Sequence, residues 1–152
     1  MTRTIIEFIS LFLAGLLAGE EFVVRYGVRG PLAALDDLAH IRLRQELIRT
    51  LRVLVPGIFV PAFGTGIAAA AMGGADTGYR WVAVAVMTVW LLVTMFGTVP
   101  INEAAYEWNA EQPPAGWKAI VDRWERLNTV RTWAAVCAFA FLLTAAALQQ
   151  QG

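Results

Sequence analysis

Two groups of residues in this 152-residue chain have types and spacing that could do chemistry. The first is the acidic pair Glu20-Glu21, which closes an otherwise uncharged run from Phe8 to Gly19. A carboxylate inside or at the lip of a membrane helix is costly unless it is paired or faces a wet cavity, so such residues are functional candidates by default. Arg25 stands four residues beyond Glu21, in the favourable order for a simple interfacial ion pair, and that is the competing expectation. The second group lies in the polar connector from Val99 to Arg131, VPINEAAYEWNAEQPPAGWKAIVDRWERLNTVR. It holds three of the six tryptophans (Trp108, Trp117, Trp124) and four of the twelve basic residues, and it joins two apolar runs.

Read as a helix from Gly116 onward, the connector places Trp117, Val121, Trp124, Asn128 and Arg131 at offsets 0, 4, 7, 11 and 14, which stacks them on one face. Asp122 and Arg126 fall on another face with the spacing of a surface ion pair. Indole rings favour the headgroup level of a bilayer, so Trp117 and Trp124 are equally readable as interface anchors. Asn128 and Arg131, at the brink of an apolar span, are not explained that way.

Composition sets the surroundings. With 58% hydrophobic residues, 16% charged residues and a mean hydropathy of +0.57, the chain reads as a membrane protein. A net charge of zero and the lack of any basic tract exclude nucleic acid as a partner. A single cysteine, Cys137, rules out an intramolecular disulfide and reads as a small buried hydrophobe. The lone His40 makes no recognisable zinc site. A haem would have only His40 and four methionines as axial ligands, with no supporting spacing, so no metal or cofactor is expected.

The elements that must position the polar residues follow from hydropathy. The expected fold is all-α: a single domain, 1–152, forming a four-transmembrane-helix bundle with spans at about 4–27, 53–72, 81–101 and 132–148. The first span imitates a secretory signal but reads as a retained transmembrane helix, with Glu7 snorkelling near the far face. Gly30-Pro31 is the expected break, with Pro31 opening a helix that carries Asp36, Asp37, His40, Arg44 and Arg52 on a solvated surface. The second span contains Pro56 and Pro61, which predict a kink. Its small-residue stretch GTGIAAAAMGG suits either packing inside the bundle or self-association into a homo-oligomer. Residues 73–79 read as a turn.

Four spans put both connectors on one side. Arg25, Arg29, Arg42, Arg44, Arg49, Arg52, Lys118, Arg123, Arg126 and Arg131 fall there, against Arg3 and Arg80 on the other. Positive charge marks the cytoplasmic side, so connectors 28–52 and 102–131 are expected to be cytoplasmic, as helical extensions of the second and fourth spans, with both termini outside. Glu20, Glu21, Asn102, Glu103, Trp108, Arg123, Trp124, Asn128 and Arg131 would then share one end of the bundle.

Three stretches together resemble a known family: FLAGLLAGEEFVVRYGVRGPL, the VPIN of Val99 to Asn102 with Trp108 six residues beyond the Asn, and PPAGWKAIVDRWERLNTVRT. They are similar to the small four-helix membrane proteins of the anthrone oxygenase-like family. The resemblance covers nearly the whole chain and implies the fold first and the reaction second. The reaction it implies is oxidation of anthrones to anthraquinones in aromatic polyketide biosynthesis, without metal or flavin. The matching polar residues are Asn102, Trp108, Trp117, Arg123, Trp124 and Arg131. Where the family often has His between the Arg-Trp pair and the final Arg, this chain has Asn128, which cannot act as a base near neutral pH.

Cofactor-free oxygenation needs a substrate with an acidic C–H, a base, and stabilisation of the enolate that passes an electron to oxygen. The base then falls to Glu21 or Glu103. Arg131 or Arg123 would steady the anion, Asn102 or Asn128 would donate a hydrogen bond, and Trp108 and Trp124 would stack on a flat polycycle. The alternative is a non-catalytic membrane protein, a subunit or a binder of a hydrophobic ligand such as lipid or quinone, in which the same residues form an ion-paired clasp.

Overall fold

The computed structural model describes residues 1–74 and 76–149, and among them the only regular elements are helices. They condense into four rods. The first runs from α1 (Thr2–Phe22) through a wider, π-helical turn (Val23–Val28) into the short α2 (Arg29–Ala33). The second is α3 (Asp37–Ala71). The third joins α4 (Thr77–Val93), another π-helical turn (Thr94–Thr98) and α5 (Val99–Tyr106). The fourth is α6 (Trp117–Gln149).

The helix read from Gly116 onward is present: Gly116 takes the left-handed conformation at φ +78° and α6 begins at the next residue. The turn expected at 73–79 ends within α4, which starts at Thr77. The expected break at Gly30-Pro31 is not there. Both residues lie inside α2, and the chain turns instead at Ala34 to Asp36, where the Asp36 side chain accepts from the Ala39 N–H at 2.9 Å and caps α3. A capping carboxylate satisfies backbone N–H groups that a helix start leaves orphaned, whereas Pro31 near the start of α2 costs little. Pro56 and Pro61 lie within α3 without interrupting it, and both are exposed on its outer face.

Three rods, Asp37–Ala71, Thr77–Tyr106 and Trp117–Gln149, are long and apolar enough to cross a membrane. Packing is inside-out relative to a soluble domain. The core is built largely on small residues, among them Ala14, Ala18, Ala62, Ala83, Ala134, Ala135 and Ala138, which let helix backbones approach closely. Large apolar side chains face outward instead: Phe8 and Phe12 from α1, Val53 and Val60 from α3, Trp81 and Leu92 from α4. Gly66, Ala69 and Ala70 of the small-residue stretch are buried in the bundle. Cys137, expected in the core, lies on this exposed apolar exterior. Its helix face points away from the stripe that carries Ala134, Ala135 and Ala138 inward.

Glu7 does more than snorkel. It pairs with Arg3 and Arg80, both at 2.7 Å, and Arg80 also pairs with Asp76 and donates to the Ala69 carbonyl at 3.0 Å. This network ties the start of α1 to the α3–α4 turn. At the opposite end, the Gln45 side-chain amide donates to the carbonyls of Ala105, Tyr106 and Trp108, satisfying the last turn of α5.

Candidate functional site

The stripe anticipated on α6 is the inward face of that helix: Trp117, Val121, Asn128 and Arg131 are buried and Trp124 is half-buried. Arg131 is its deepest charge. Its Nη2 pairs with Oε1 of Glu21, which is 1% exposed, and its Nη1 donates to Thr98 Oγ1 at 3.2 Å. The Trp90 indole Nε1 donates to the same Glu21 oxygen at 3.0 Å, and the Arg131 guanidinium carbon lies 4.6 Å over the Trp90 ring. Trp90 in turn stacks on Phe59 at 4.3 Å between centroids. Thr132 Oγ1 donates to the Glu21 carbonyl at 3.3 Å. Three rods therefore meet at one carboxylate.

The π-helical turn in the third rod aligns two of these contacts. In a regular helix, eight residues from Trp90 to Thr98 would rotate about 80° past the starting face. The wider turn winds part of that back, so that both residues face the Glu21–Arg131 pair. Asn102 follows Thr98 by one turn of the third rod, and Asn128 precedes Arg131 by about one turn of α6. The Asn102 Oδ1 and Asn128 Nδ2 are buried and make no hydrogen bond with another described residue. The same holds for Glu21 Oε2, Glu20 Oε2, Arg131 Nε and Trp124 Nε1. Buried polar atoms are nearly always hydrogen-bonded, so these six stand out at one end of the bundle; at the other, Ser10 Oγ, Asp76 Oδ2 and Thr77 Oγ1 are the comparable atoms among the described residues.

A second layer lies one to two turns nearer the connector. Glu125 receives Arg25 at 3.5 Å, Arg29 at 3.2 Å and Arg44 at 3.9 Å, and Arg25 also donates to Thr129 Oγ1 at 2.7 Å. Arg25 thus pairs across to α6 and not with Glu21, because the buried Glu21 is already held by Arg131. Arg44, expected on a solvated surface, is 4% exposed and lies with its guanidinium 4.7 Å over Trp124.

The remaining residues singled out from sequence go elsewhere. Trp108 and Trp117 pack edge to face at 6.2 Å, and with Ile41 and Val121 they form a small separate apolar core that His40 joins edge to face with Trp117. They anchor the connector to α3 and do not reach the Glu21–Arg131 pair. Arg123 and Glu103 are exposed, as are Asp122 and Arg126. The sites that sequence reading missed are Trp90, Thr98, Arg44 and Glu125. A tryptophan in mid-span, away from either interface, was the available signal for the first.

Among the described residues no group of three His, Cys, Asp or Glu side chains converges as ligands for a metal ion. What the centre offers is a buried acceptor, a fixed cation over an aromatic ring, and amide donors. The family model described as anthrone oxygenase matches residues 46–141, more than half of the chain. This chain belongs to the anthrone oxygenase family. The matched segment contains Trp90, Thr98, Asn102, Trp124, Asn128 and Arg131, whereas Glu21, Arg25, Arg29 and Arg44 lie outside it. No curated protein and no solved structure matches the chain.

Proposed function

We propose that this protein is an integral membrane oxygenase that converts an anthrone-type polycyclic phenol to the corresponding quinone at the Glu21–Arg131 centre, using dioxygen directly. The observation that carries the reading is the set of buried, unpartnered polar atoms around that centre in a chain of the anthrone oxygenase family.

The chemistry follows from the residues. An anthrone carries a methylene opposite its ketone, and removal of one methylene proton gives an aromatic enolate. Glu21 Oε2, which makes no hydrogen bond, is the acceptor for that proton; Oε1 is held by Arg131 and Trp90, which fixes the carboxylate. Asn128 Nδ2 and Arg131 Nε are the free donors for the oxygen on which negative charge develops. The enolate then passes one electron to dioxygen. Recombination at the former methylene carbon forms a C–O bond, and loss of water, carrying the second methylene hydrogen, leaves the quinone. One dioxygen is consumed and one water released per anthrone. Glu103 and Arg123, being exposed, have no part in this scheme.

In this reading α1 is a fourth span. Its outer face is apolar through Phe8 and Phe12, and Arg3, Glu7 and Glu21 are held in ion-pair networks at its two ends. The connectors 28–52 and 102–131 are cytoplasmic, following the ten basic residues on their side, Arg25 included, against two on the other.

A second reading has its own support: Glu21, Trp90 and Arg131 come from three different rods and hold one another. A non-catalytic protein would use them as a clasp. Oxygen uptake by detergent-purified protein with a panel of anthrones separates the two. Uptake above the spontaneous autoxidation rate, matched by quinone formation, supports the oxygenase. Uptake at the spontaneous rate with every anthrone, together with loss of fold when Arg131 is replaced, supports the clasp.

A further inference from the structure

The proposed reaction leaves a second concentration of charge unused. Arg25, Arg29 and Arg44 converge on the single carboxylate of Glu125, three positive charges on one negative. Arg44 stands apart among them. It is 4% exposed, its closest carboxylate oxygen is at 3.9 Å, beyond hydrogen-bond range, and its Nε and Nη2 are buried without a hydrogen-bond partner. Trp124, whose ring lies under the Arg44 guanidinium, also has a buried indole N–H with no partner.

Guanidinium and indole are donors only, so the missing partner of this pair is an acceptor. A buried guanidinium with unused N–H groups is costly, and its planar fork matches a carboxylate in two-point contact. The local excess of positive charge requires that acceptor to be anionic. Position narrows the class further. Trp124 stands seven residues before Arg131 on α6, a rise of about 10 Å, close to the long dimension of a linear fused tricycle. Arg44 is 4% exposed and so shut off from the rim where a lipid headgroup would sit, whereas Arg29, another cation on the same Glu125 carboxylate, is half-exposed.

We propose that Arg44 and Trp124, with Arg25 beside them, bind the ionised carboxylate of a planar aromatic ligand whose ring system extends toward Asn128 and Arg131. This names the substrate class of the oxygenase as aromatic polycyclic acids. It rests on that reading for the word substrate, though not for the binding.

The test is binding of redox-stable ligands to the purified full chain in neutral detergent: an anthraquinone carboxylate and its neutral carboxamide, compared by titration calorimetry. The carboxylate binds at least about tenfold more tightly than the carboxamide, the difference expected for charge-assisted over neutral hydrogen bonds. Arg44→Gln abolishes that preference by weakening carboxylate binding more than carboxamide binding, and Arg44→Lys restores part of it. Equal affinities for the two ligands in the unaltered protein overturn the proposal, and this arm stands even if Arg44→Gln fails to fold. Displacement of the carboxylate by phosphatidic acid but not by phosphatidylcholine, at matched concentrations, also overturns it by making the site one for lipid phosphate. Selective carboxylate binding in a protein that oxidises no anthrone leaves this site standing and removes the oxygenase.

Discussion

At the residue scale, the centre of the candidate site is a carboxylate and a guanidinium that are both buried and both multiply held. Removing one partner of such a pair leaves an uncompensated charge, which costs about 3–5 kcal/mol, whereas replacing both with apolar side chains is often neutral. Arg131→Met is therefore expected to destabilise the protein by that amount, and Glu21→Leu combined with Arg131→Met to recover most of it. Denaturant unfolding in detergent reads both; single replacements costing under about 1 kcal/mol would remove the buried pair from the account. Asn128 is expected to behave differently. Its Nδ2 holds nothing in the protein, so Asn128→Ala should leave stability nearly unchanged and lower anthrone turnover by about 100-fold, as loss of a donor to a developing oxyanion does. Unchanged turnover would assign the enolate to another donor. Much of this residue set was legible in the sequence, because Asn128, Arg131 and Trp124 share a helical face and Glu21 is a carboxylate at a membrane boundary. Its pairing was not. The local spacing offers Arg25 to Glu21, but the partner chosen is 110 residues away, and Arg44 reads as solvated until α6 brings Trp124 and Glu125 over it.

At the element scale, the site depends on two departures from regular helix. The π-helical turns at Val23–Val28 and Thr94–Thr98 adjoin Glu21 and include Thr98, and such turns often mark functional sites. No periodicity rule finds them, since both stretches are apolar enough to continue a helix. Within the second, Gly97 packs against α6: a Cβ there would lie 3.0 Å from Leu127 Cδ1. Gly97→Val should push α6 away and cost about 1–3 kcal/mol through overpacking, with a loss of turnover larger than the loss of stability explains. Equal turnover per folded molecule would show that this contact does not position Arg131. The start of α6 was readable because Gly116 is the residue type a positive φ demands. The break before α3 was misplaced because Pro31 is tolerated in the first turn of a helix, and the Asp36 cap decides where the next one begins.

At the scale of the whole molecule, hydropathy led to four expected spans, and three of the four rods are long and apolar enough to cross a membrane, with large apolar side chains on their exterior. Glu7, Glu20 and Glu21 depress the hydropathy of the first rod, and tertiary ion pairs with Arg80 and Arg131 show how Glu7 and Glu21 are carried. The proposed orientation is testable by cysteine labelling in a Cys137→Ser background. Glu111→Cys in the long connector should be protected from a membrane-impermeant maleimide in intact cells, and Gly78→Cys at the start of α4 should react. The reverse pattern would invert the topology, and reaction at both would contradict a single orientation. The two ends differ in degree: Glu7, Arg80 and Asp76 pair at one, where Ser10, Asp76 and Thr77 each keep one buried atom without a hydrogen bond, while the other keeps more such atoms beside its ion pairs.

The most direct test of the central claim is oxygen uptake with an anthrone by the unaltered protein and by Glu21→Gln, normalised to folded protein. If Glu21 takes the methylene proton, the unaltered protein consumes one dioxygen per quinone formed, and Glu21→Gln loses about 100-fold or more of that rate. Undiminished uptake by Glu21→Gln would contradict the account, leaving the Glu21–Arg131 pair as a clasp between rods.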